Sequence, residues 1–373
     1  MDFKLSKEHE MARKMFREFA ENELEPLAVE IDEEERFPWE SVEKFARYGM
    51  MGIPIPKKYG GAGGDNLMYC IAIEEISKKC ATSSVIVAAH TSLCMGPIMA
   101  FGTEEQKMKW IPDLASGRKI GAFGLTEPGA GTDASGQQTM AVKDGDEYVL
   151  NGTKCFITNG DTASTYVVFA VTDKTKGLKG ISLFVVEKGT PGFSTGLHEK
   201  KMGIRGSSTT DLIFEDCRIP AGNLIGKEGQ GWKICMHTLN GARAGVAAQA
   251  LGIGEGALDL AMKYVQERMQ FKKKLSKFQR TQFEIADMHT KLEAGKLLVY
   301  SAACKEDAYN KGDKTQNYAM DSAMAKLFCG EAASDVTRRC VQLFGGYGYI
   351  REYQVERMMR DAKITEIYEG TSE

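Results

Sequence analysis

The feature that most constrains the fold is a change in the spacing of apolar residues, which occurs twice along the chain. In the first third these residues recur at helical spacing, as Met11, Met15 and Phe19 do on a face otherwise made of Arg, Lys and Glu. From Gly121 to Pro220, short runs of β-branched and aromatic residues alternate with Gly, Asp and Lys, which is typical of strands. After that segment the helical spacing returns.

This order predicts an α+β fold with three domains. We expect an N-terminal helical domain over 1–118, a middle β domain of sandwich or barrel type over 119–225, and a C-terminal four-helix-bundle-like domain over 226–373. A chain of 373 residues suits two or three domains. Within the β segment, Asn151-Gly152 lies between two strand-like runs and predicts a type I′ hairpin turn.

Composition excludes several classes of partner. The 48 basic and 51 acidic residues give a net charge of -3 and are spread along the chain, so no basic stripe is available for nucleic acid. We find no signal peptide, transit sequence or run of about 18 apolar residues, which favours a cytoplasmic protein without a membrane segment. The nine cysteines form no C-x-x-C pair, and we expect packed thiols and no metal site.

Two segments carry residue types that suit a ligand. Phe123–Asp133 places three glycines and two threonines in one turn, where backbone N–H groups can approach a planar ligand or a phosphate. Phe156–Gly160 follows as a strand with an aromatic residue and a threonine. Each segment alone is equally compatible with an ordinary turn or hairpin. A G-x-G-x-x-G fingerprint after a strand is absent from the sequence, which argues against an NAD-binding Rossmann domain.

Taken together, these segments resemble the acyl-CoA dehydrogenase family. L-T-E-P-G-A-G-T-D at 125–133 and I-Y-E-G-T at 367–371 match the two motifs on which that family most depends, and the likeness runs from Leu5 to Glu373. It is greatest to bacterial butyryl-CoA dehydrogenases and related short-chain enoyl-CoA reductases, through 133–139 and 358–373. The resemblance implies FAD-dependent α,β-dehydrogenation of a short-chain acyl-CoA to the trans-2-enoyl-CoA, or the reverse reduction.

The resemblance also implies which residues bind FAD. Phe156 would cover the flavin face, and Thr158 would offer its hydroxyl to the N5 edge of the ring. The adenine half would be held by a neighbouring subunit, which implies a homo-oligomer built as a dimer of dimers. The implied contacts on the flavin side are Phe123, Leu125, Thr126, Gly131, Thr132, Phe156, Ile157 and Thr158. Those on the adenine side are Arg268, Gln270, Phe271, Phe278, Gln279, Gln342, Leu343, Phe344, Gly345 and Gly346, with Thr371 and Glu373 near the chain end.

Glu369 is the catalytic base implied by the resemblance. Its neighbours Ile367 and Tyr368 are apolar or aromatic, and desolvation between them and a flavin predicts a raised pKa suited to proton transfer. Some family members carry the base at the position of Ala242, but alanine cannot accept a proton. The implied contacts with the acyl-CoA substrate are Thr132, Asn240, Arg243, Tyr368 and Gly370.

Two further readings of the same motifs remain open at this point. An acyl-CoA oxidase would pass electrons to oxygen rather than to an electron-transferring flavoprotein, although such oxidases commonly carry an extra C-terminal domain. A catalytically silent flavin- or CoA-binding homologue is the other reading, against which the intact Glu369 counts. The acyl group and the direction of the reaction are left open.

One stretch departs from the family pattern. Relatives usually read F-G-K-P-L where this chain has Phe271–Leu275 as F-K-K-K-L. The three lysines either strengthen attraction to a phosphate or form an ordinary solvated face.

Overall fold

The N-terminal part of the chain is helical in the computed structural model, which describes residues 4–373. The first helix begins after Ser6, whose hydroxyl accepts a hydrogen bond from the His9 N–H. Pro26 opens a short 3-10 turn after this helix, because proline cannot continue an α-helical ladder. The α-helices within the described residues of this part are Lys7–Phe19 (α1), Ala28–Glu34 (α2), Trp39–Arg47 (α3), Asn66–Ser77 (α4), Ala81–Ala88 (α5), Gly96–Phe101 (α6) and Glu104–Ala115 (α7).

The buried face of α1 differs from the predicted one. Met11 is 74% exposed, whereas Phe16 and Phe19 are buried. The side of α1 that meets α4 carries arginines instead of methionines. Arg17 lies 3.1 Å from a carboxylate oxygen of the buried Glu75. The helix is therefore docked partly by ion pairs, which a count of apolar residues does not detect.

A single apolar helix runs from Ala81 to Phe101, because a π-helical segment, Ala89–Met95, joins α5 to α6. This helix is long and apolar enough to span a membrane by length and composition, although serine, threonine and histidine residues interrupt its apolar sequence. In its most apolar stretch 67% of the residues are buried inside the protein, as in a core helix. Buried His90 accepts a hydrogen bond from the Gly121 N–H and so ties this helix to the sheet.

The middle part is a mixed sheet in which β4 is central. Strand order is β6-β7-β3-β2-β4-β5-β8, and β1 lies parallel to β4. The long antiparallel pair of β3 and β7 forms one side of the sheet. The strands are Gly121–Gly124 (β1), Met140–Asp144 (β2), Glu147–Thr158 (β3), Thr165–Val171 (β4), Ile181–Glu187 (β5), Phe193–Thr195 (β6), Thr209–Pro220 (β7) and Leu224–Ile225 (β8).

The predicted hairpin turn at Asn151-Gly152 is wrong. The turn between β2 and β3 lies at Gly145, and Asn151-Gly152 sits inside β3 at a register shift opposite β7. Gly152 has φ 145°, and a Cβ there would lie 2.6 Å from the Thr139 hydroxyl. The Asn151 side chain accepts a hydrogen bond from the Asp216 N–H at 2.8 Å. The dipeptide therefore forms a β-bulge within β3, in a backbone conformation that Gly152 can adopt.

The C-terminal part is a bundle of long helices around α8. Gly252 of this helix lies so close to α4 that a Cβ would stand 2.2 Å from the Glu74 carbonyl oxygen. The predicted α+β fold, with a β domain between two helical ones, is confirmed. The elements are Gly231–Glu267 (α8), the hairpin Met269–Gln270 (β9) and Lys273–Lys274 (β10), then Gln279–Asn310 (α9), Tyr318–Phe344 (α10) and Val355–Lys363 (α11).

Candidate active site

Glu369 follows α11 and a short 3-10 turn, and its backbone is held by two cations from different helices. Arg243 of α8 donates from Nε to the Glu369 carbonyl oxygen at 3.0 Å. Lys326 of α10 donates from Nζ to the Gly370 carbonyl oxygen. Glu369 has φ 55° and Gly370 has φ 116°, and a non-glycine residue in the left-handed region carries strain that its surroundings must support. Arg243 and Lys326 supply that support.

The side chain of Glu369 is electrostatically unusual. Its Oε2 is buried and has no hydrogen-bond partner. Burial raises the pKa of Glu369 to about 7, and the positive charges of Arg243 and Lys326 limit the rise. A carboxyl with this pKa exchanges a proton readily near neutral pH. A buried acceptor without a partner is rare in native proteins, and this one fits a site that a ligand completes.

Most of the predicted substrate residues lie with Glu369. The Asn240 Oδ1 accepts a hydrogen bond from Arg243 Nη1 at 3.2 Å. The Tyr368 hydroxyl donates to the Gln249 Oε1, which fixes the ring next to the carboxyl. Together with Gly370, these residues form a cluster between α8 and the segment after α11. Ala242 is buried on the same turn of α8 as Arg243.

The predicted flavin loop lies against β3 and leaves much of its backbone open. The Cys155 N–H of β3 donates to the Thr126 carbonyl at 2.9 Å. Beyond that point the loop turns outward, and a Cβ added at Gly129 or Gly131 would meet nothing within 4 Å. Thr132 is exposed on the same turn. This arrangement suits a ligand that approaches the backbone closely.

Beside the loop, β3 presents an outward aromatic ring. Phe156 is 64% exposed and has φ 58°, at the register shift between Lys154 and Ile157. Thr158 is half-buried two residues further along. Ile157 is 3% exposed and packs in the core, so its backbone rather than its side chain faces the site. An exposed ring beside an open glycine loop fits a planar ring system such as a flavin.

Flanking this surface, Phe123 in β1 and Leu125 just after it provide the apolar edge. The Phe123 ring meets Phe169 edge-on, with centroids 5.2 Å apart, and Leu125 is buried. Both residues support the base of the loop.

The predicted adenine-side residues form a second cluster at the far end of the bundle. The Arg268 guanidinium lies 5.2 Å from the centre of the Tyr347 ring, and Tyr264 stacks on Phe344 at 4.1 Å. The Phe271 and Phe278 rings lie edge to face. The first two contacts, through the neighbouring residues Tyr347 and Tyr264, place the start of the predicted segment 268–279 beside the predicted segment 342–346.

The two clusters lie at different positions along α10. Lys326, which contacts Gly370, lies about a third of the way along this 27-residue helix, and Phe344 is its last residue. At 1.5 Å per residue, these two positions are roughly 27 Å apart along the helix axis. The predicted residues therefore form two separate groups within one chain. Thr371 and Glu373 are exposed beyond Glu369.

Two buried lysines near these groups were missed by the sequence analysis. Lys326 is 4% exposed and lies on the small-residue face of α10, with Ala325, Cys329 and Gly330. Lys154 is buried in β3. A lysine within a run of small or apolar residues is the signal that would have drawn attention to each, because lysine is seldom buried without a partner.

Three family models match: the acyl-CoA dehydrogenase N-terminal domain at 6–118, its middle domain at 122–217 and its C-terminal domain at 229–373. The short-chain specific acyl-CoA dehydrogenase of Clostridium acetobutylicum is 59% identical over 100% of this chain and 97% of its own. The acryloyl-CoA reductase (NADH) of Anaerotignum propionicum is 54% identical, over 100% and 93%.

Solved structures agree with these relatives. Butyryl-CoA dehydrogenase from Megasphaera elsdenii has a TM-score of 0.96 at 49% identity, covering 100% of this chain and 97% of that one. A chain in a structure described as the electron transferring flavoprotein of Acidaminococcus fermentans has a TM-score of 0.97 at 53% identity, covering 100% and 96%. Since family models and relatives match along nearly the whole sequence, this chain belongs to the acyl-CoA dehydrogenase family of flavin-dependent oxidoreductases.

Proposed function

We propose that this enzyme binds FAD and converts a short-chain acyl-CoA to the trans-2-enoyl-CoA, or catalyses the reverse reduction, with an electron-transferring flavoprotein as its redox partner. The observation that carries the proposal is the buried Glu369 carboxylate, whose Oε2 has no partner and whose pKa is raised to about 7. The relatives named as short-chain dehydrogenases and as an acryloyl-CoA reductase support the substrate class.

Glu369 would act as the base at the α-carbon of the thioester. An α-hydrogen of a thioester is a weak acid, so the base must be matched in pKa and held in place. Burial supplies the first condition, and the contacts of Arg243 and Lys326 with the backbone of 369–370 supply the second. Donors aimed at the thioester oxygen would stabilise the enolate charge that develops there, and the Glu369 N–H is the candidate donor.

The flavin-side residues described above would hold the cofactor. FAD, when bound, supplies the two-electron chemistry of the reaction. Phe156 would cover the ring system, and Thr158 would donate to its polar edge. The open backbone at Gly129 and Gly131 would allow close approach of the loop, and Thr132 would also contact the CoA chain.

The separation of the two clusters supports a shared site. Residues 268–279 and 342–346 lie far from Glu369 in the same chain, so we infer that they hold the adenine half of FAD bound mainly by a neighbouring subunit. A dimer is then the smallest complete unit, and a dimer of dimers is the assembly proposed.

The variant Glu369→Gln tests the proposal. Glutamine keeps the shape but cannot accept a proton, so we expect flavin reduction by butyryl-CoA to slow by about 10²–10⁴-fold under anaerobic conditions. FAD content and acyl-CoA affinity should stay near wild type. Glu366→Gln is the matched control, because this carboxylate pairs with Lys363 at 2.6 Å three residues earlier. A near wild-type rate in Glu369→Gln with every acyl-CoA from C3 to C8 would exclude Glu369 as the base.

A further inference from the structure

A buried ammonium closes the base of the flavin loop. Lys154 is 0% exposed, and its Nζ donates to the Leu125 carbonyl at 3.1 Å, to Glu127 Oε1 at 2.7 Å and to Gln137 Oε1 at 3.1 Å. An ammonium has three donors, and all three are used here. The acceptors come from both ends of the loop, so one side chain joins its start to its finish.

Glu127 extends this arrangement to the following strand. Its Oε1 accepts from the Thr139 N–H at 3.0 Å, and its Oε2 accepts from the Gln138 N–H at 2.5 Å. Although burial opposes ionisation, the Lys154 ammonium holds the pKa of Glu127 below its ordinary value. Burial lowers the pKa of Lys154 to about 8, which leaves it charged at neutral pH. The two groups form an ion pair inside the protein.

Most of the residues enclosed by this ion pair are exposed, whereas Ala130 and Ala134 are buried. Between Glu127 and Gln137 the loop includes Gly129, Gly131 and Thr132, whose backbone is exposed. A glycine-containing loop of this length would sample many conformations if its ends were free, and ordering it on binding would cost conformational entropy. Fixing the ends beforehand reduces that cost, which is the general basis of preorganised binding.

The same lysine lies two residues before the exposed aromatic ring. Lys154 and Phe156 are both on β3, and the intervening Cys155 N–H donates to the Thr126 carbonyl at 2.9 Å. The position of the loop is thereby tied to the position of the ring. We propose that Lys154 is a positioning residue for the cofactor, whose contacts hold the loop and Phe156 in the geometry that binds FAD. This inference rests on the proposed function, because it assumes that these residues contact FAD.

A purely structural role makes a different prediction. Buried ion pairs contribute little net stability, and replacing both charged residues often leaves the free energy of unfolding unchanged. Removing one partner leaves the other charge buried and unpaired, which destabilises the protein. A variant lacking both charges should therefore recover stability whatever the role of the pair. It recovers FAD binding only if positioning by Lys154 is unimportant.

The experiment compares Lys154→Met with the double variant Lys154→Met/Glu127→Gln. FAD release from the full-length holoenzyme is followed by flavin fluorescence after dilution, and thermal unfolding is measured on the FAD-free chain. We expect Lys154→Met to lower the Tm and to speed FAD release by about tenfold or more, as for loss of charged hydrogen bonds. In the double variant the Tm should return toward wild type while FAD release stays fast.

Lys201→Met is the matched control within the same domain. Its Nζ donates to the carbonyl oxygens of Arg205 at 3.3 Å and Ser207 at 2.7 Å, away from the flavin loop. This variant should lower the Tm and leave FAD release unchanged.

Two results would overturn the inference alone. One is a rate of FAD release from Lys154→Met within about threefold of the wild-type rate, because a tenfold change would correspond to about 1.4 kcal/mol. The other is a double variant in which stability and FAD retention both return. Wild-type protein that carries no FAD would overturn the proposed function and this inference together.

Discussion

At the scale of single residues, the site depends on charges held in unfavourable places. The Glu369 carboxyl is buried without a partner for Oε2, and its backbone lies in the left-handed region. Such features cost stability and are expected where a protein binds or reacts. Two consequences can be measured separately from turnover.

The first concerns stability. The folded pKa of Glu369, about 7, lies above its ordinary value, so ionising this group costs folding free energy as pH rises from about 4.5 to 7, and the full cost persists above that window. Glu369→Gln removes the cost. The FAD-free variant should therefore melt at a higher temperature than wild type near about pH 8 and at the same temperature near about pH 4. Equal melting at the higher pH, or the same gain in Glu366→Gln, would contradict this account.

The second concerns Lys326. Its positive charge lowers the pKa of Glu369, and it donates to the Gly370 carbonyl. Lys326→Met removes that charge, so the pKa of Glu369 should rise further. The pH at which the flavin reduction rate reaches half its maximum should move upward relative to wild type. Lys363→Met, which breaks an exposed pair with Glu366, is the control. An unmoved pH profile would show that Lys326 acts only as a structural contact.

At the scale of elements, the β9–β10 hairpin carries the F-K-K-K-L stretch. Phe271 and Lys272 form the turn, both with positive φ, and the side chains of Lys272, Lys273 and Lys274 are exposed. Lys273 lies 4.1 Å from the centre of the Phe278 ring. The lysines thus lie on the same hairpin as Phe271, and one of them contacts Phe278; both aromatic residues are proposed to contact FAD.

Replacing these three lysines by glutamine tests their role. If they attract the phosphates of FAD, the variant should retain FAD less well than wild type at low salt, and the difference should shrink as salt screens the charges. FAD release measured over a range of ionic strength reports both effects. Lys174→Gln/Lys176→Gln, on a turn of the middle domain, is the control. If FAD release depends on salt identically in the variant and the wild type, the three lysines form only a solvated face.

The elements also show what sequence alone predicts. Continuous runs of β-branched and aromatic residues predicted strands such as β4 and β5, and Glu369 was predicted as a site residue from a short motif. The Asn151-Gly152 bulge was not, because local turn preference was overridden by pairing with β7. Lys154 was missed for a related reason. Its partners Leu125 and Gln137 are distant in sequence, and only the folded loop brings them together.

At the scale of the whole molecule, function is proposed to require more than one chain. Lys326, which contacts the segment of the proposed base, lies in the first half of α10, and the proposed adenine-side cluster lies at its C-terminal end. We propose that a cofactor held by both groups of residues bridges two subunits, in which case each chain would supply half of each of two sites.

Mixed oligomers test this arrangement directly. Glu369→Gln and Arg268→Ala chains with different tags are co-expressed, and oligomers carrying both tags are purified. In a shared site, one of the two sites in each mixed dimer combines a wild-type Glu369 with a wild-type Arg268, so each mixed dimer should recover about half of wild-type activity, and the purified oligomers should be more active than the average of the two parents. Each variant alone stays impaired. Mixed oligomers no more active than the average of the two parents would show that every site lies within one chain.

The left-handed backbone at Glu369 has a consequence for how this sequence can evolve. Glycine and asparagine tolerate that conformation better than glutamate does, and neither would bury a carboxylate. A library selected for heat resistance alone should therefore accumulate Gly or Asn at position 369. A library selected for growth that requires the product of this enzyme should keep Glu at position 369. The two selections oppose each other at this residue, and ancestral or consensus sequences chosen only for thermostability risk discarding the proposed base.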